Sequence, residues 1–243
     1  RHDLLGLQEL SAAEITTILD QAAEFKAMAA RGESKISALN GTVVANLFFE
    51  PSTRTKTSFS LAAKRLSADT VDFTASASSL SKGETFVDTA RNIEAMGVDL
   101  VVVRHRTSGA PQLQAKSLKA GVVNAGDGMH EHPTQALLDC YTLRERRGSL
   151  DGMRIAIVGD VRHSRVARSN VLAFTALGAE VVLVAPATLL PPAVDGWPVT
   201  VSHELDPLLA GLDAIYLLRM QSERITEGLI PSMREYATDF GLS

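Results

Sequence analysis

Among its 243 residues the chain has a single cysteine, Cys140. An intrachain disulfide is therefore excluded, and a reducing, cytoplasmic setting is expected. Cys140 follows Leu137, Leu138 and Asp139 in an apolar stretch with no activating cation, which reads as a small core residue, not a nucleophile. No apolar run approaches the length of a membrane span, and the start Arg1-His2-Asp3 carries no signal-peptide pattern. Basic excess is also missing. The formal net charge of −4 argues against a general binder of nucleic acid or anionic membrane. The histidines show neither H-E-x-x-H nor Cys/His spacing, so neither a metal nor a cofactor is implied. There is no internal repeat and no low-complexity segment. With 45% hydrophobic and 21% charged residues, the chain is an ordinary globular one, long enough for two small domains.

Strand and helix patterns alternate along it. Residues 11–30 have helical periodicity (Ile15, Ile18, Leu19, Ala22, Phe25), opened by a capping box of Ser11 and Glu14. Residues 42–49 are apolar and β-branched enough for a buried strand, and Phe59, Ala62, Ala63 and Leu66 mark one face of the next helix. Further strands are expected at 70–73, 99–105 and 122–125, with helices at 85–96 and 133–147. The segment 148–152, bounded by glycines, is the best boundary. Beyond it the pattern restarts with strands at 154–158, 180–184, 199–202 and 213–218, and a helix at about 164–177. Such alternation implies an α/β fold of two doubly wound parallel-sheet domains, residues 1–147 and 148–243. Ligands in such sheets sit at the carboxyl ends of the strands, where the polar motifs fall.

The densest of these motifs is Pro51-Ser52-Thr53-Arg54-Thr55, between a strand and a helix. Pro51 stops the strand, and Ser52 or Thr53 is the natural N-cap. Free backbone N–H groups and the positive end of the helix dipole then meet three hydroxyls and a guanidinium. A plain capping turn would also place serine and threonine here, but an arginine at the positive end of a helix suggests that an anion is expected.

Ser52-Thr53-Arg54-Thr55, followed in order by Ser81-Lys82-Gly83-Glu84-Thr85 and by His132-Pro133-Thr134-Gln135, resembles the aspartate and ornithine carbamoyltransferase family over nearly the whole chain. The resemblance implies a first domain that binds carbamoyl phosphate. Ser52, Thr53, Arg54, Thr55 and Arg104 would hold the phosphate. Thr55, Arg104 and His132 would donate to the carbonyl oxygen, and Gln135 would accept from the carbamoyl amide. Arg54, Thr55, Arg104 and His132 are thus the implied catalytic groups. The loop with Ser79 and Lys82 would reach a neighbouring chain's site, making a homotrimer with shared active sites; Ser81 and Ser78 stand close enough to leave the serine open. Seen alone, Lys82 is a surface lysine beside a turn glycine, and His132-Pro133-Thr134-Gln135 is a helix start with Pro near N1.

In the second half, Gly159-Asp160-Val161-Arg162-His163-Ser164-Arg165 is a cation-rich turn after a strand. As a dinucleotide site it is incomplete, with one glycine where G-x-G-x-x-G has three. Arg219-Met220-Gln221-Ser222-Glu223-Arg224 has the spacing of the aspartate enzymes and not the ornithine ones. On that match Arg165, Arg219, Gln221 and Lys82 would hold L-aspartate, and a dicarboxylate suits bidentate guanidinium partners. The family continues past this C-terminus through a His-Pro loop and a final helix, so the second domain is expected to lack its C-terminal portion. The resemblance leaves open a regulatory or dihydroorotase-type partner.

Overall fold

The computed structural model describes residues 1–33, 35–74, 85–221, 228–230 and 232–241. They form two compact units, Arg1–Leu7 with Asp20–Thr134 and Gln8–Leu19 with Gln135–Ser243. The division passes through two helices, α1 (Ala12–Ala30) and α5 (Pro133–Arg147).

In the first unit, β1 (Val43–Phe48), α2 (Thr53–Arg65), β2 (Asp69–Thr74), α3 (Phe86–Glu94), β3 (Leu100–His105), α4 (Ala110–Ala115) and β4 (Gly121–Asp127) follow one another. The strands form a sheet in the order β2-β1-β3-β4. All pairs are parallel, with Ala45 opposite Val71 and Val101, and Val101 opposite Val122. The central strands β1 and β3 are apolar on both faces because both faces are covered. Ala45, Leu47, Val101, Val103 and Val122 pack with Ala90 and Ile93 of α3. Val44, Phe48, Val102 and Ala125 point the other way, towards Ala63 and Phe59 of α2. Asn46 sits among the latter, fully buried, and donates to Asp72 Oδ1 at 2.9 Å and Ser60 Oγ at 3.0 Å.

The second unit repeats the plan with β5 (Arg154–Val158), α6 (Arg165–Ala176), β6 (Glu180–Val184), β7 (Thr200–Ser202), β8 (Ala214–Leu217) and α7 (Met233–Phe240). Its sheet is parallel in the order β7-β6-β5-β8. Ala156, Val158, Val182 and Val184 pack with Leu205 and Phe240. Ile155, Ile157, Val181 and Leu183 alternate onto the opposite face and are buried there. Before β8 runs a 3₁₀ stretch, Asp206–Gly211, begun by an Asp-Pro pair. Helix α7 had no counterpart in the sequence reading; Ser232 caps it, and Tyr236 and Phe240 stack at 5.4 Å. Cys140 is fully buried, and burial, reinforced by the Asp139 charge, pushes its thiol up to about 12. Among the described residues no helix is long and apolar enough to cross a membrane.

At the carboxyl ends of β1, β3, β4 and β5 the chain turns directly into an α-helix. In the first unit the carboxyl edge of the sheet carries Ser52–Thr55 after β1, Arg104 at the end of β3, and His132 after β4. In the second it carries Arg165 after β5, and Arg219 with Gln221 after β8.

Candidate functional site

The N-terminus of α2 differs from its neighbours. Ser11, Thr85, Ser164 and Ser232 each accept a bond from the backbone N–H three residues on, the usual N-cap. Ser52 occupies the same backbone position before α2, at φ −162° and ψ 97°, yet its side chain makes no capping bond. Its Oγ donates instead to Thr55 Oγ1 at 2.9 Å. No acidic residue stands in the first turn. The donors at the positive end of a 13-residue helix are therefore left without a side-chain acceptor. Arg54 is exposed, and among the described residues its guanidinium makes no hydrogen bond or ion pair. Beside this turn a cleft of ≈ 780 Å³ is lined by Phe49, Pro51, Ser52, Thr53, Lys56 and Arg106, among others. Such an arrangement suits an anion chemically.

Arg104 extends from β3 directly beside β1, where it is paired with Phe48 in register. Its Nη2 donates to Glu50 Oε1 at 2.7 Å and its Nη1 to the Ala125 carbonyl at 3.1 Å, so three strand ends share one guanidinium. The next residue, His105, is absorbed into an aromatic cluster with Phe49 and Phe86, at ring distances of 5.5 and 4.8 Å. Burial, aided by the Arg106 charge, pulls its pKa below the ordinary value.

His132 is 7% exposed, and its Nδ1 lies 3.4 Å from Thr134 Oγ1. What places it is an acid that the sequence reading passed over. Asp127 ends β4 with no exposed surface. Its Oδ1 accepts from Asn124 Nδ2 at 2.9 Å and from the Glu131 N–H at 3.1 Å, while Oδ2 accepts from the Gly109 N–H at 2.7 Å. His130 Nδ1 adds a contact at 3.2 Å. Desolvation alone would raise the Asp127 pKa, but the bonds from His130, Asn124 and Gly109 outweigh it and hold the carboxyl below the usual range. Glu131, also buried, accepts from the Leu7 N–H at 2.8 Å. The turn leading to His132 is thereby tied to the chain start and to the loop after β3.

Gln135 and Asp139 lie one turn apart on α5, and Gln135 Nε2 donates to Asp139 Oδ1 at 3.0 Å. In the second unit, Gly159 follows β5 at φ +120°, and a Cβ there would stand 2.7 Å from Tyr236 Oη; only glycine fits. Asp160 comes next, fully buried. Its Oδ1 accepts from the His163 N–H at 3.2 Å and lies 2.7 Å from His163 Nδ1, which carries the proton beside a carboxylate. Its Oδ2 accepts from the Gln221 N–H at 3.1 Å, joining the turn after β5 to the segment after β8. On that segment Arg219 Nη2 donates to Gln221 Oε1 at 3.2 Å, so these two expected ligands are side by side. Arg165 opens α6, 5% exposed. Ser79, Lys82, Glu223 and Arg224 lie outside the described residues. Among the described residues no group of three acids, histidines or cysteines could hold a metal.

The model of the family described as "Aspartate/ornithine carbamoyltransferase, carbamoyl-P binding domain" matches residues 2–145. The aspartate carbamoyltransferase catalytic subunit of Desulfitobacterium hafniense is 56% identical over 243 residues, which covers 100% of this chain and 78% of that relative. That of Acidothermus cellulolyticus is 55% identical over 242 residues, covering 100% and 75%. Of solved structures, the Trypanosoma cruzi aspartate transcarbamoylase in complex with carbamoyl phosphate and aspartate matches with TM-score 0.86 at 30% identity, over 97% of this chain and 77% of that one. The catalytic subunit of M. jannaschii aspartate transcarbamoylase matches with TM-score 0.84 at 33% identity, over 98% and 79%.

Asp127, with its pKa below the usual 3.8, contributes stability that is present above that value and lost as pH falls through the depressed one. Urea midpoints followed from pH 6 downwards should therefore fall for the wild type below about pH 4. In Asp127→Asn this acid-sensitive component should be absent, and the curve should start lower and run flatter.

Proposed function

The chain belongs to the aspartate/ornithine carbamoyltransferase family, and from that premise we propose which of its residues carry the reaction. The reaction is transfer of the carbamoyl group of carbamoyl phosphate to the α-amine of L-aspartate, giving N-carbamoyl-L-aspartate and phosphate. The single observation that best supports the residue assignment is the withheld cap of α2, a helix N-terminus whose serine turns away and whose first turn carries an arginine.

In this reading Ser52, Thr53, Arg54, Thr55 and Arg104 hold the phosphate, where backbone N–H groups and two guanidiniums suit a dianion. Thr55, Arg104 and His132 donate to the carbonyl oxygen, which gains negative charge as the amine attacks. Each well-aimed donor to such an oxyanion is worth roughly 3–4 kcal/mol. Gln135 accepts from the carbamoyl amide. Arg165, Arg219 and Gln221 hold the aspartate carboxylates, bidentate guanidinium pairing being the natural choice for a dicarboxylate. Phosphate is already a competent leaving group, so no protein nucleophile is required. Holding two mutually repelling anions in line is worth up to ~7–11 kcal/mol. The base that takes the amine proton is the departing phosphate or Lys82.

By the same family reading, residues 1–147 bind carbamoyl phosphate and residues 148–243 bind aspartate. The working unit is a cytoplasmic homotrimer in which Ser79 and Lys82 of one chain serve the site of the next.

Colorimetric detection of carbamoyl-aspartate from carbamoyl phosphate and aspartate, with ornithine as the control acceptor, tests the reaction; product with ornithine alone would refute it. Ser52→Asp should install the missing cap, raising stability by about 0.5–1 kcal/mol. The same carboxylate would occupy and repel at the phosphate position, so carbamoyl phosphate binding should be lost. Unchanged affinity for carbamoyl phosphate would remove this turn from the site. Shared sites are tested by mixing inactive Arg54→Ala chains with inactive Lys82→Ala chains. Partial activity should return, because one site in a mixed trimer escapes both lesions, whereas mixtures that stay inactive would contradict sharing.

A further inference from the structure

The carboxylate of Asp139 gathers two donors from two helices of the second unit. Gln135 Nε2, one turn back on α5, donates to Oδ1 at 3.0 Å. Asn170 Nδ2, from α6, donates to Oδ2 at 3.1 Å. The phenol of Tyr216, from β8, lies near enough to the same group to feel its charge. Burial, together with the Asp139 charge, lifts the Tyr216 pKa far above its ordinary value, so this phenol keeps its proton. Burial also raises the pKa of Asp139, and Asn170, Gln135 and Tyr216 oppose that rise.

An ionised carboxylate accepts and never donates, so a carboxamide beside it has one orientation open to it. Turned round, the amide would set its oxygen against another oxygen. Asn170 shows how strongly this choice is imposed: its Nδ2 faces Asp139 although its Oδ1 is then buried without a hydrogen-bond partner among the described residues. Gln135 is under the same constraint. With Nε2 committed to Asp139, the group it retains for a ligand is its carbonyl oxygen.

An i,i+4 Gln–Asp pair on an open helix surface is a common local stabiliser. Here the acid is also held from α6 by Asn170, on its other oxygen, so it does not freely follow a reorienting glutamine. We propose that Asp139 is a positioning residue for the established reaction: it fixes the carboxamide of Gln135 with the carbonyl oxygen as acceptor, so that the site selects carbamoyl phosphate, which has an N–H₂ to offer, over acyl phosphates that have a methyl there. This rests on the reading in which Gln135 meets the carbamoyl amide.

Acetyl phosphate, with methyl in place of the amino group, is the probe. The quantity to measure is the KM of carbamoyl phosphate divided by the inhibition constant of acetyl phosphate, a ratio unaffected by the fraction of active protein. Asp139→Ala should raise this ratio about 2–10-fold, the worth of one neutral hydrogen bond. Gln135→Ala should raise it by a similar factor, and the double variant should show no further change. If Asp139→Ala fails to fold, Asp139→Asn, near-isosteric and bringing its own N–H, should move the ratio the same way. A large effect of Gln135→Ala with an unchanged ratio in the Asp139 variants, or with losses that multiply in the double variant, overturns the positioning role while leaving Gln135 at the amide. An unchanged ratio in Gln135→Ala overturns the assignment of Gln135 itself, and the proposal with it.

Discussion

Each sheet is organised at its carboxyl edge by one buried aspartate. Asp127 at the end of β4 and Asp160 after β5 have no exposed surface, and each receives N–H donors from its own turn and from a distant segment. A buried carboxylate is tolerable only when its oxygens are fully engaged, so each turn has one arrangement open to it. Asp127 fixes the approach to His132 and the loop before α4. Asp160 fixes the start of α6, where Arg165 lies, and the entry to Arg219 and Gln221. The segments that carry the cationic and polar groups proposed for substrate are held in place by buried anionic groups.

Around these fixed points, stability is given up locally. The capping bond made at α1, α3, α6 and α7 is absent at α2, where Ser52 turns to Thr55. A cap contributes about 1 kcal/mol, so its omission is a measurable local cost. It leaves the donors of the first turn without a side-chain acceptor. Arg104 is held differently, by Glu50 and by the Ala125 carbonyl, which keeps a guanidinium preorganised between strands.

Much of this was legible in the sequence because it is local. Strand and helix positions followed from apolar periodicity, and Ser11 with Glu14 forms the reciprocal capping box that its spacing implies. The parallel order of both sheets followed from strand–helix alternation. What could not be read is pairing across distance. Asp160 meets the N–H of Gln221 from 61 residues away, and Arg104 meets Glu50 from 54 residues away. Asp127 was overlooked between two glycines, although an acid closing an apolar strand is itself a signal that its burial must be compensated. Asp139 looked like an ordinary polar residue of a helix, since its partner Asn170 comes from another element. Helix α7 carries Met233, Tyr236, Ala237 and Phe240 at i, i+3, i+4 and i+7, so its apolar face is itself a local signal; what lies beyond the sequence is that Tyr236 and Phe240 pack against the second sheet.

The claim that two buried carboxylates hold the turns is tested most directly by native-state hydrogen exchange in the ligand-free protein. The informative amides are those of Gly109 and Glu131, which donate to Asp127, and of His163 and Gln221, which donate to Asp160. Protection approaching that of the central strands β1, β3 and β5 is the expected result. Exchange at these four amides as fast as in open loops would mean that the turns are not held by the carboxylates, and the account would fail.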